Sequence, residues 1–276
     1  MKRSLIAAAL AVALAAPAAA HTAYLKPDRF WANNGVVNTQ GAFTTTFFTP
    51  EIGLSSNFEI IAPDGSAGFF SQAEVTAQAA RLQSQLYQYG TYRITSGEQL
   101  GAVSQLVGVD GAWRPAVAGE VLPEGAVTTT LQTVTLAETY VTRGTPSNGV
   151  LERVIGRLAL KPVTHPNQIL INAPFQVQVL FDGAPLANTA LVIYAAGEPE
   201  TDIDRYVATD ATGVATITLD QPGAYMLAAR HRADAAPGSQ AQVQSFTTTL
   251  TFEAMSEMPA FVAPPEEDRR GRRRRN

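Results

Sequence analysis

The sequence predicts an all-β protein with two tandem immunoglobulin-like or transthyretin-like β-sandwich domains behind a cleaved signal peptide. Apolar and polar residues alternate with period two along most of the chain, and Gly, Pro and Asp-Gly or Asn-Gly pairs separate the alternating segments. The pattern Leu-x-x-x-Gly-x-Tyr-x-(Leu/Ile) also occurs twice, at 86–94 and 219–227. In Greek-key sandwiches a tyrosine at this place bonds its hydroxyl to the preceding loop and packs its ring in the core. We therefore expect one sandwich around Tyr92 and another around Tyr225.

Residues 1–20 have the features of a secretory signal peptide. Two basic residues precede an apolar run, and Ala18, Ala19 and Ala20 provide the small side chains of a cleavage site. The apolar run is shorter than a membrane-spanning helix requires. Cleavage after Ala20 makes His21 the first residue of a periplasmic or secreted protein. The chain contains no cysteine, which excludes disulfides, thiolate metal sites and a cysteine nucleophile.

The first predicted domain covers residues 21–162. Val, Thr, Ile and aromatic residues are typical of strands, and they concentrate at 21–25, 36–49, 57–62, 82–86, 91–94, 128–142 and 150–160. Residues 97–125 are instead rich in Gly, Pro and small side chains. They predict a long loop with a tight turn at Asp110-Gly111.

The second predicted domain covers residues 163–254. The boundary lies within residues 161–167, which hold two prolines and no core pattern. The alternation predicts six strands, at 175–181, 191–195, 205–209, 214–219, 224–230 and 245–253. Asp182-Gly183 marks a turn between the first two. This spacing of strands and turns is typical of a sandwich.

The charge of the chain differs between its body and its C-terminal end. Residues 21–268 contain 12 basic and 24 acidic residues, a net charge of −12, whereas six arginines lie between 269 and 275. An acidic body does not suit nucleic-acid binding, because phosphates require Lys and Arg, but it is compatible with a cation-handling periplasmic protein. Residues 255–276 are expected to be a disordered tail. Its Arg-rich end either stays solvated or contacts anionic lipid or an acidic protein.

Sequence motifs of enzymes are absent. The chain has no nucleophile elbow, phosphate-binding loop, His-Glu-x-x-His pair or dinucleotide fingerprint. Four carboxylates, Glu198, Glu200, Asp202 and Asp204, cluster in a predicted loop, where a solvated acidic surface is the commoner outcome and a calcium site the rarer one. We therefore expect no catalytic residues and no enzyme activity.

The candidate metal ligands are the three histidines of the chain, His21, His165 and His231. At a processed N terminus the α-amine and the ring of His21 can chelate one cation, which suits Cu²⁺ or Ni²⁺ because both favour nitrogen ligands. His231 ends a predicted strand and His165 lies in the boundary segment, so all three could approach one interface. Alternatively, His165 is an ordinary linker residue, and His231 is solvated beside Arg230 and Arg232, whose charges disfavour a cation.

Several segments of the chain resemble the DUF4198 family of exported bacterial proteins. The matching segments are His21 followed by Leu-x-Pro at 25–27, Gly-Thr-Tyr-Arg-Ile at 90–94, Glu-Thr-Tyr-Val-Thr-Arg-Gly at 138–144, Asp-Gly-x-Pro-Leu-Ala at 182–187, Thr-Asp-Ala-x-Gly at 209–213 and Pro-Gly-x-Tyr at 222–225. The resemblance covers nearly all of the mature chain. It implies export and, for some members, a link to nickel or cobalt uptake. It also implies that His21 and His231 occupy positions where the family often has histidine, whereas His165 matches no family position.

These observations predict a non-catalytic periplasmic protein that binds a nickel, cobalt or copper ion near its N terminus. Its partners would be the metal ion and a membrane transporter or outer-membrane receptor, to which it is an accessory. An alternative is a protein- or carbohydrate-interaction module without metal, in which Phe30, Trp31 and Trp113 make the contacts. A third hypothesis is an oxidative copper enzyme built on a terminal-histidine brace.

Overall fold

The computed structural model describes residues 21–261. The predicted signal peptide at 1–20 and the Arg-rich end of the predicted tail lie outside the described residues. Within 21–261 the regular structure consists of nineteen β-strands and one 3-10 turn at Gly149–Leu151. The all-β prediction is therefore confirmed. This part of the chain contains no helix with the length and hydrophobicity that a membrane crossing requires.

The strand bounds follow the predicted order closely in the second half of the chain. The first half contains β1 (Thr22–Pro27), β2 (Val36–Thr44), β3 (Ile52–Gly53), β4 (Glu59–Ile61), β5 (Phe70–Val75), β6 (Ala80–Gln85), β7 (Gly90–Thr95), β8 (Gln99–Val109), β9 (Ala112–Pro115) and β10 (Val127–Arg143). The second half contains β11 (Leu158–Pro162), β12 (Ile169–Leu170), β13 (Phe175–Phe181), β14 (Ala184–Pro185), β15 (Ala190–Ala195), β16 (Tyr206–Ala208), β17 (Val214–Ile217), β18 (Gly223–Asp234) and β19 (Val243–Met255). Each of the six strands predicted for the second domain has a counterpart, and β13 has the predicted bounds.

The strands form three sheets, which stack in layers with the largest in the middle. The outer sheet has the strand order β1-β2-β6-β5, and β3 pairs with β2. The central sheet has the order β16-β15-β18-β19-β10-β7-β4, and β8, β9 and β12 extend it. The C-terminal sheet comprises β11, β13, β14 and β17.

Three apolar clusters fill the space between these sheets. The largest lies between the central and C-terminal sheets and includes Phe252. The second joins the outer sheet to the middle of the central sheet through Leu25 and Ile94. The third contains Tyr24 of the outer sheet and Tyr194 of β15, whose rings contact Phe48 and Phe47 respectively. Since buried apolar surface is the main favourable term in folding, the packing of both sandwiches depends on the central sheet.

The two halves of the chain are joined within the central sheet. β10 of the first half pairs in parallel with β19 of the second over nine residue pairs, beginning with Leu131 and Val243. β11, which ends at Pro162, pairs with β13 and so belongs to the C-terminal sheet. The sandwiches are therefore tandem in sequence but share their middle layer. The domain limits 21–162 and 163–254 remain a prediction.

The two tyrosines of the repeated pattern have equivalent local contacts. The Tyr92 hydroxyl donates to the carbonyl of Gln88 at 3.1 Å, and the Tyr225 hydroxyl donates to the carbonyl of Gln221 at 2.9 Å. Both rings are buried, each in a different core. β7 and β18 nevertheless belong to the same central sheet. The repeat thus specifies a local tyrosine corner and not two independent sheets, because β10 and β19 join the halves.

The prediction of a long loop at 97–125 is wrong. This segment contains β8 and β9, which form a hairpin. Its turn residues Asp110 and Gly111 have positive φ angles of 49° and 81°, as a type I′ turn requires. β8 also pairs with β10 from Val127 onward. Main-chain hydrogen bonds hold this hairpin, and most of its side chains are exposed. Because it has little buried face, its sequence shows little of the apolar alternation that is typical of half-buried strands.

The strand predicted at 150–160 is shorter than expected. The structure has a 3-10 turn at Gly149–Leu151, and β11 begins only at Leu158. Val150 and Leu151 are buried from this turn. Their apolar side chains, which suggested a strand, therefore fill the core from a different backbone conformation.

Candidate metal centre at the first strand

His21 directly precedes β1, which is one of the most buried strands of the molecule. β1 pairs antiparallel with β2, and the register places Thr22 opposite Thr44. This pairing brings His21 beside the irregular segment that follows β2. The His21 side chain is 32% exposed. The residue is thus attached to a fixed strand and remains accessible to solvent.

Glu51 contacts the ring of His21 and is itself held in place. Its Oε2 atom lies 3.0 Å from Nε2 of His21. Thr45 donates to Oε1 of Glu51 from its main-chain N–H at 2.8 Å and from its hydroxyl at 2.6 Å. The pKa of Glu51 lies below its ordinary value, mainly because of these hydrogen bonds from Thr45. The group facing the imidazole is therefore a charged carboxylate at neutral pH.

The position of Glu51 determines which nitrogen of His21 is free. A carboxylate beside Nε2 favours the tautomer that carries its proton there, which leaves the lone pair of Nδ1 available. Removal of Ala20 would turn the main-chain nitrogen of His21 into a free amine. The amine and Nδ1 could then close a chelate ring on one ion. Carboxylates commonly hold the remote ring nitrogen of a ligating histidine in this way.

Thr22 links the two halves of the chain next to His21. Its hydroxyl donates to Oε2 of Glu200 at 2.8 Å and accepts from Nη2 of Arg230 at 3.1 Å. The main-chain N–H of Glu200 also donates to the carbonyl of Thr45 at 2.8 Å. The candidate centre therefore lies where the acidic loop around Glu200 joins the outer sheet.

His165 is buried, with 6% of its surface exposed, and the protein uses both of its ring nitrogens. Nδ1 accepts a hydrogen bond from the N–H of Asn167 at 3.1 Å. Nε2 therefore carries the proton and donates to Oγ1 of Thr91 at 2.9 Å. Burial lowers the pKa of His165 to about 4. The ring is neutral at pH 7 and has no free lone pair for a metal.

A buried hydrogen-bond network continues from His165 into the central sheet. Oγ1 of Thr91 lies 3.0 Å from Oγ1 of Thr142, which donates to Oδ1 of Asn167 at 3.1 Å. Nδ2 of Asn167 donates to the carbonyl of Tyr140 at 3.0 Å. Satisfied networks of this kind fix the arrangement of a core, because an unpaired buried polar group is costly. His165 thus anchors the segment between β11 and β12 to β7 and β10.

His231 lies on the opposite face of the central sheet from the N terminus. Its neighbour Arg230 reaches Thr22, and successive side chains of a strand point to opposite faces. The His231 ring packs edge-on against Phe181 with ring centroids 4.5 Å apart. Burial and then the charge of Arg157 lower the pKa of His231. A neighbouring guanidinium also disfavours a cation at this ring.

The structure does not bring the three histidines together. Within residues 21–261, no group of three His, Cys, Asp or Glu side chains has an arrangement that could hold a metal ion. The expected convergence fails because His231 faces the other side of the sheet and both nitrogens of His165 are already bonded. Among the three, His21 combines solvent access with a carboxylate at one ring nitrogen, whereas the part-exposed ring of His231 lies beside the guanidinium of Arg157.

The aromatic residues of the alternative interaction surface are also separated. Phe30 is buried. Trp31 stacks on Phe261, with ring centroids 5.7 Å apart. Trp113 is exposed on β9, in the hairpin. These three side chains therefore do not form one contact surface.

Comparison with known proteins assigns a family to the chain. The family model described as Domain of unknown function (DUF4198) matches residues 18–233. The chain belongs to this family. No curated protein matches the sequence of this DUF4198 protein. Among solved structures, the D0-D1 domain of Intimin is similar at 11% identity with a TM-score of 0.24, covering 83% of this chain and 96% of that chain.

Sequence reasoning did not find Glu51 and Thr45 of this DUF4198 protein. Glu51 lies between a proline and a two-residue strand, and no motif spacing relates it to His21. Their contact depends on the register of β1 on β2. The local signal is the run of threonines at 44–46, because hydroxyl donors near a single carboxylate keep it ionised.

Proposed function

We propose that this DUF4198 protein is a non-catalytic, exported β-sandwich protein that binds a divalent transition-metal ion at its processed N terminus. The observation that carries the proposal is the 3.0 Å contact between Nε2 of His21 and Oε2 of Glu51. The ion would be copper, nickel or cobalt, and the protein would act as an accessory to its uptake. The family resemblance to proteins linked with nickel and cobalt supports the class of ion.

The chemistry of the terminal residue supports nitrogen-preferring metals. An α-amine and an imidazole nitrogen on one residue bind as a chelate, and Cu²⁺ and Ni²⁺ favour such donors in tetragonal geometry. Glu51 restricts the ring orientation and increases the basicity of the coordinating nitrogen through the opposite side of the ring. A side chain that is oriented before binding loses less entropy when the ion arrives.

The two carboxylates near His21 also support a cation at this place, against one guanidinium nearby, that of Arg230. Glu51 is a carboxylate held by Thr45, and a second carboxylate, Glu200, bonds to Thr22 next in the chain. The body of the protein is acidic overall, with 24 acidic against 12 basic residues in 21–268. A negative field raises the local concentration of cations.

A chelate of two nitrogens leaves further coordination positions on the ion. Water or a donor group of a receiving transport protein can fill those positions. Exchangeable ligands suit transfer of an ion to a partner better than long-term storage. We therefore place the protein beside a membrane transporter or outer-membrane receptor.

Two forms of the protein test this function. One begins at His21 and the other retains Ala20, and both are titrated with Cu²⁺ and Ni²⁺ in a calorimeter. The processed form should bind one ion per chain at least about tenfold more tightly, because an added residue removes the free amine from the chelate. A His231→Ala variant of the processed form serves as the control and should bind normally. Equal affinities of the two forms, or no stoichiometric binding to the processed form, would contradict the proposal.

A further inference from the structure

The outer sheet carries a groove on the face turned away from its apolar core. Its volume is about 480 Å³, within the range of about 300 to 1,000 Å³ typical of ligand sites. In β6, Leu82 and Ser84 are buried, whereas Arg81, Gln83 and Gln85 alternate with them and face outward. The floor of the groove is therefore the solvent side of four antiparallel strands.

One row of side chains crosses all four strands. Lys26 of β1 is the register partner of Gln40 in β2, which is the partner of Arg81 in β6, which is the partner of Glu74 in β5. Directly paired residues share one face of a sheet with their Cβ atoms about 5 Å apart. The row thus presents basic, amide, basic and acidic groups in succession along the groove.

A second row runs parallel to the first. Asn38 of β2 pairs with Gln83 of β6, which pairs with Gln72 of β5. Nε2 of Gln83 donates to Oδ1 of Asn38 at 3.1 Å, and Nδ2 of Asn38 donates to Oδ2 of Asp28 at 3.1 Å. This chain of hydrogen bonds sets the orientation of the amides in advance. Pre-oriented groups reduce the cost of ordering when a ligand binds.

The composition of the two rows determines which ligands fit. The lining of the groove contains two basic side chains, Lys26 and Arg81, and two acidic ones, Asp28 and Glu74, so the charges of the lining cancel. The remaining amide side chains both donate and accept hydrogen bonds. A strongly charged ligand gains little from such a surface. Hydroxyl groups, which also donate and accept, are the matching chemistry.

An exposed pair of aromatic rings lies at one end of this face. Phe69 and Tyr87 are 53% and 63% exposed and stack with ring centroids 5.9 Å apart. The Tyr87 hydroxyl donates at 2.7 Å to Oε1 of Gln85, which follows Gln83 on the outward face of β6. Exposed apolar surface of this kind often marks a contact site. An elongated ligand in the groove would reach these rings along β6.

We propose that this face of the outer sheet binds a neutral oligosaccharide. The sugar hydroxyls bond to the amides and charged groups of the two rows, and the apolar C–H face of one pyranose ring packs on Phe69 and Tyr87. Pyranose chains combine neutral charge, many hydroxyls and flat apolar faces; the groove suits the first two properties and the neighbouring Phe69–Tyr87 pair the third. The site shares no residue with the His21 centre and does not depend on metal binding.

Titration of the processed protein, which begins at His21, with sugars tests the proposal. The probes are maltohexaose, cellohexaose and chitohexaose, and a sulfated hexasaccharide tests the role of ligand charge. At least one neutral hexasaccharide should bind. Gln83→Ala and Tyr87→Ala should each weaken that binding roughly 5- to 10-fold, since each removes one hydrogen bond or one stacking contact.

Tyr206→Ala is the matched control, because Tyr206 is 58% exposed on β16 at the edge of a different sheet. The Tyr206→Ala variant should bind the sugar as tightly as the unchanged protein, and the melting temperatures of all variants should agree. Failure of all three neutral sugars to bind would overturn the proposal. Binding that Gln83→Ala and Tyr87→Ala leave unchanged, or a clear preference for the sulfated probe, would overturn it as well.

Discussion

His165 and His21 have the same side chain in opposite surroundings. His165 is 6% exposed and both of its ring nitrogens are hydrogen-bonded to the protein. The His21 side chain is 32% exposed and touches one carboxylate at one nitrogen. The first ring belongs to the framework, and the second can accept a ligand. The number of unoccupied nitrogen lone pairs, more than the presence of a histidine, decides whether a position can bind a metal.

Replacement of His165 should give the largest change in stability. His165→Ala leaves the N–H of Asn167 without its partner and opens a cavity in a buried site. We expect the free energy of unfolding to fall by roughly 3 to 5 kcal/mol, measured by urea denaturation. His231→Ala, at a half-buried ring, is the control and should cost about 1 kcal/mol. If both variants lost only a little stability, His165 would not be the structural residue that its buried hydrogen bonds indicate.

The low pKa of His165 predicts a pH dependence of stability. Its pKa is about 4 in the folded protein and about 6.5 in an unfolded chain. As the pH falls, the unfolded chain therefore takes up the proton first, which lowers the free energy of unfolding. The folded protein has its full stability from this source above about pH 6.5 and loses it as the pH falls to 4. The loss amounts to about 3 kcal/mol at 1.36 kcal/mol per pKa unit.

Urea denaturation of the unchanged protein and of His165→Gln between pH 7.5 and 4 isolates this contribution. Carboxylates titrate in both proteins, so only the difference between the two curves reports His165. That difference should shrink as the pH falls, because the unchanged protein loses the contribution and the variant does not have it. Parallel curves would show that His165 is not held neutral.

Glu51 should affect metal affinity more than folding. Glu51→Gln keeps the shape of the side chain but removes the charge beside Nε2 of His21. We expect the affinity of the processed protein for Cu²⁺ to fall about tenfold, in line with losses of the carboxylate behind a ligating histidine. Glu59→Gln, an exposed carboxylate on β4, is the matched control for net charge. If both substitutions weakened Cu²⁺ binding equally in calorimetry, Glu51 would act only through the net charge of the protein and not through its contact with His21.

His21 should contribute least to stability. His21→Ala removes a partly exposed ring whose one charged contact is also partly exposed. The free energy of unfolding should change by no more than about 0.5 kcal/mol in the absence of metal. A loss comparable to that of His165→Ala in the same urea experiment would mean that the N-terminal ring also belongs to the framework.

Local patterns predicted the strands well where one face of the strand is buried. Phe175 to Phe181 alternates cleanly, and β13 has the predicted bounds, because its alternate residues face the core. The β8–β9 hairpin was missed because much of it is exposed on both faces and main-chain pairing holds it. Its Asp110-Gly111 turn was still recognisable, since type I′ turns require such residues.

Long-range pairing could not be predicted from the sequence. The parallel pairing of β10 with β19 joins residues more than 100 positions apart, and no local pattern encodes such a register. The same applies to the candidate centre. His21 was recognisable from the predicted cleavage site, whereas its contact with Glu51 and the bonds that occupy both nitrogens of His165 depend on how the strands are placed in three dimensions.

The central claim is that His21 alone among the three histidines binds the metal. It is tested most directly by titrating Cu²⁺ into three variants of the processed protein, His21→Ala, His165→Gln and His231→Ala, and following binding by calorimetry. We predict that His21→Ala abolishes one-to-one binding and that the other two variants keep their affinity within about twofold. Retained binding in His21→Ala, or an equal loss in His231→Ala, would contradict the account.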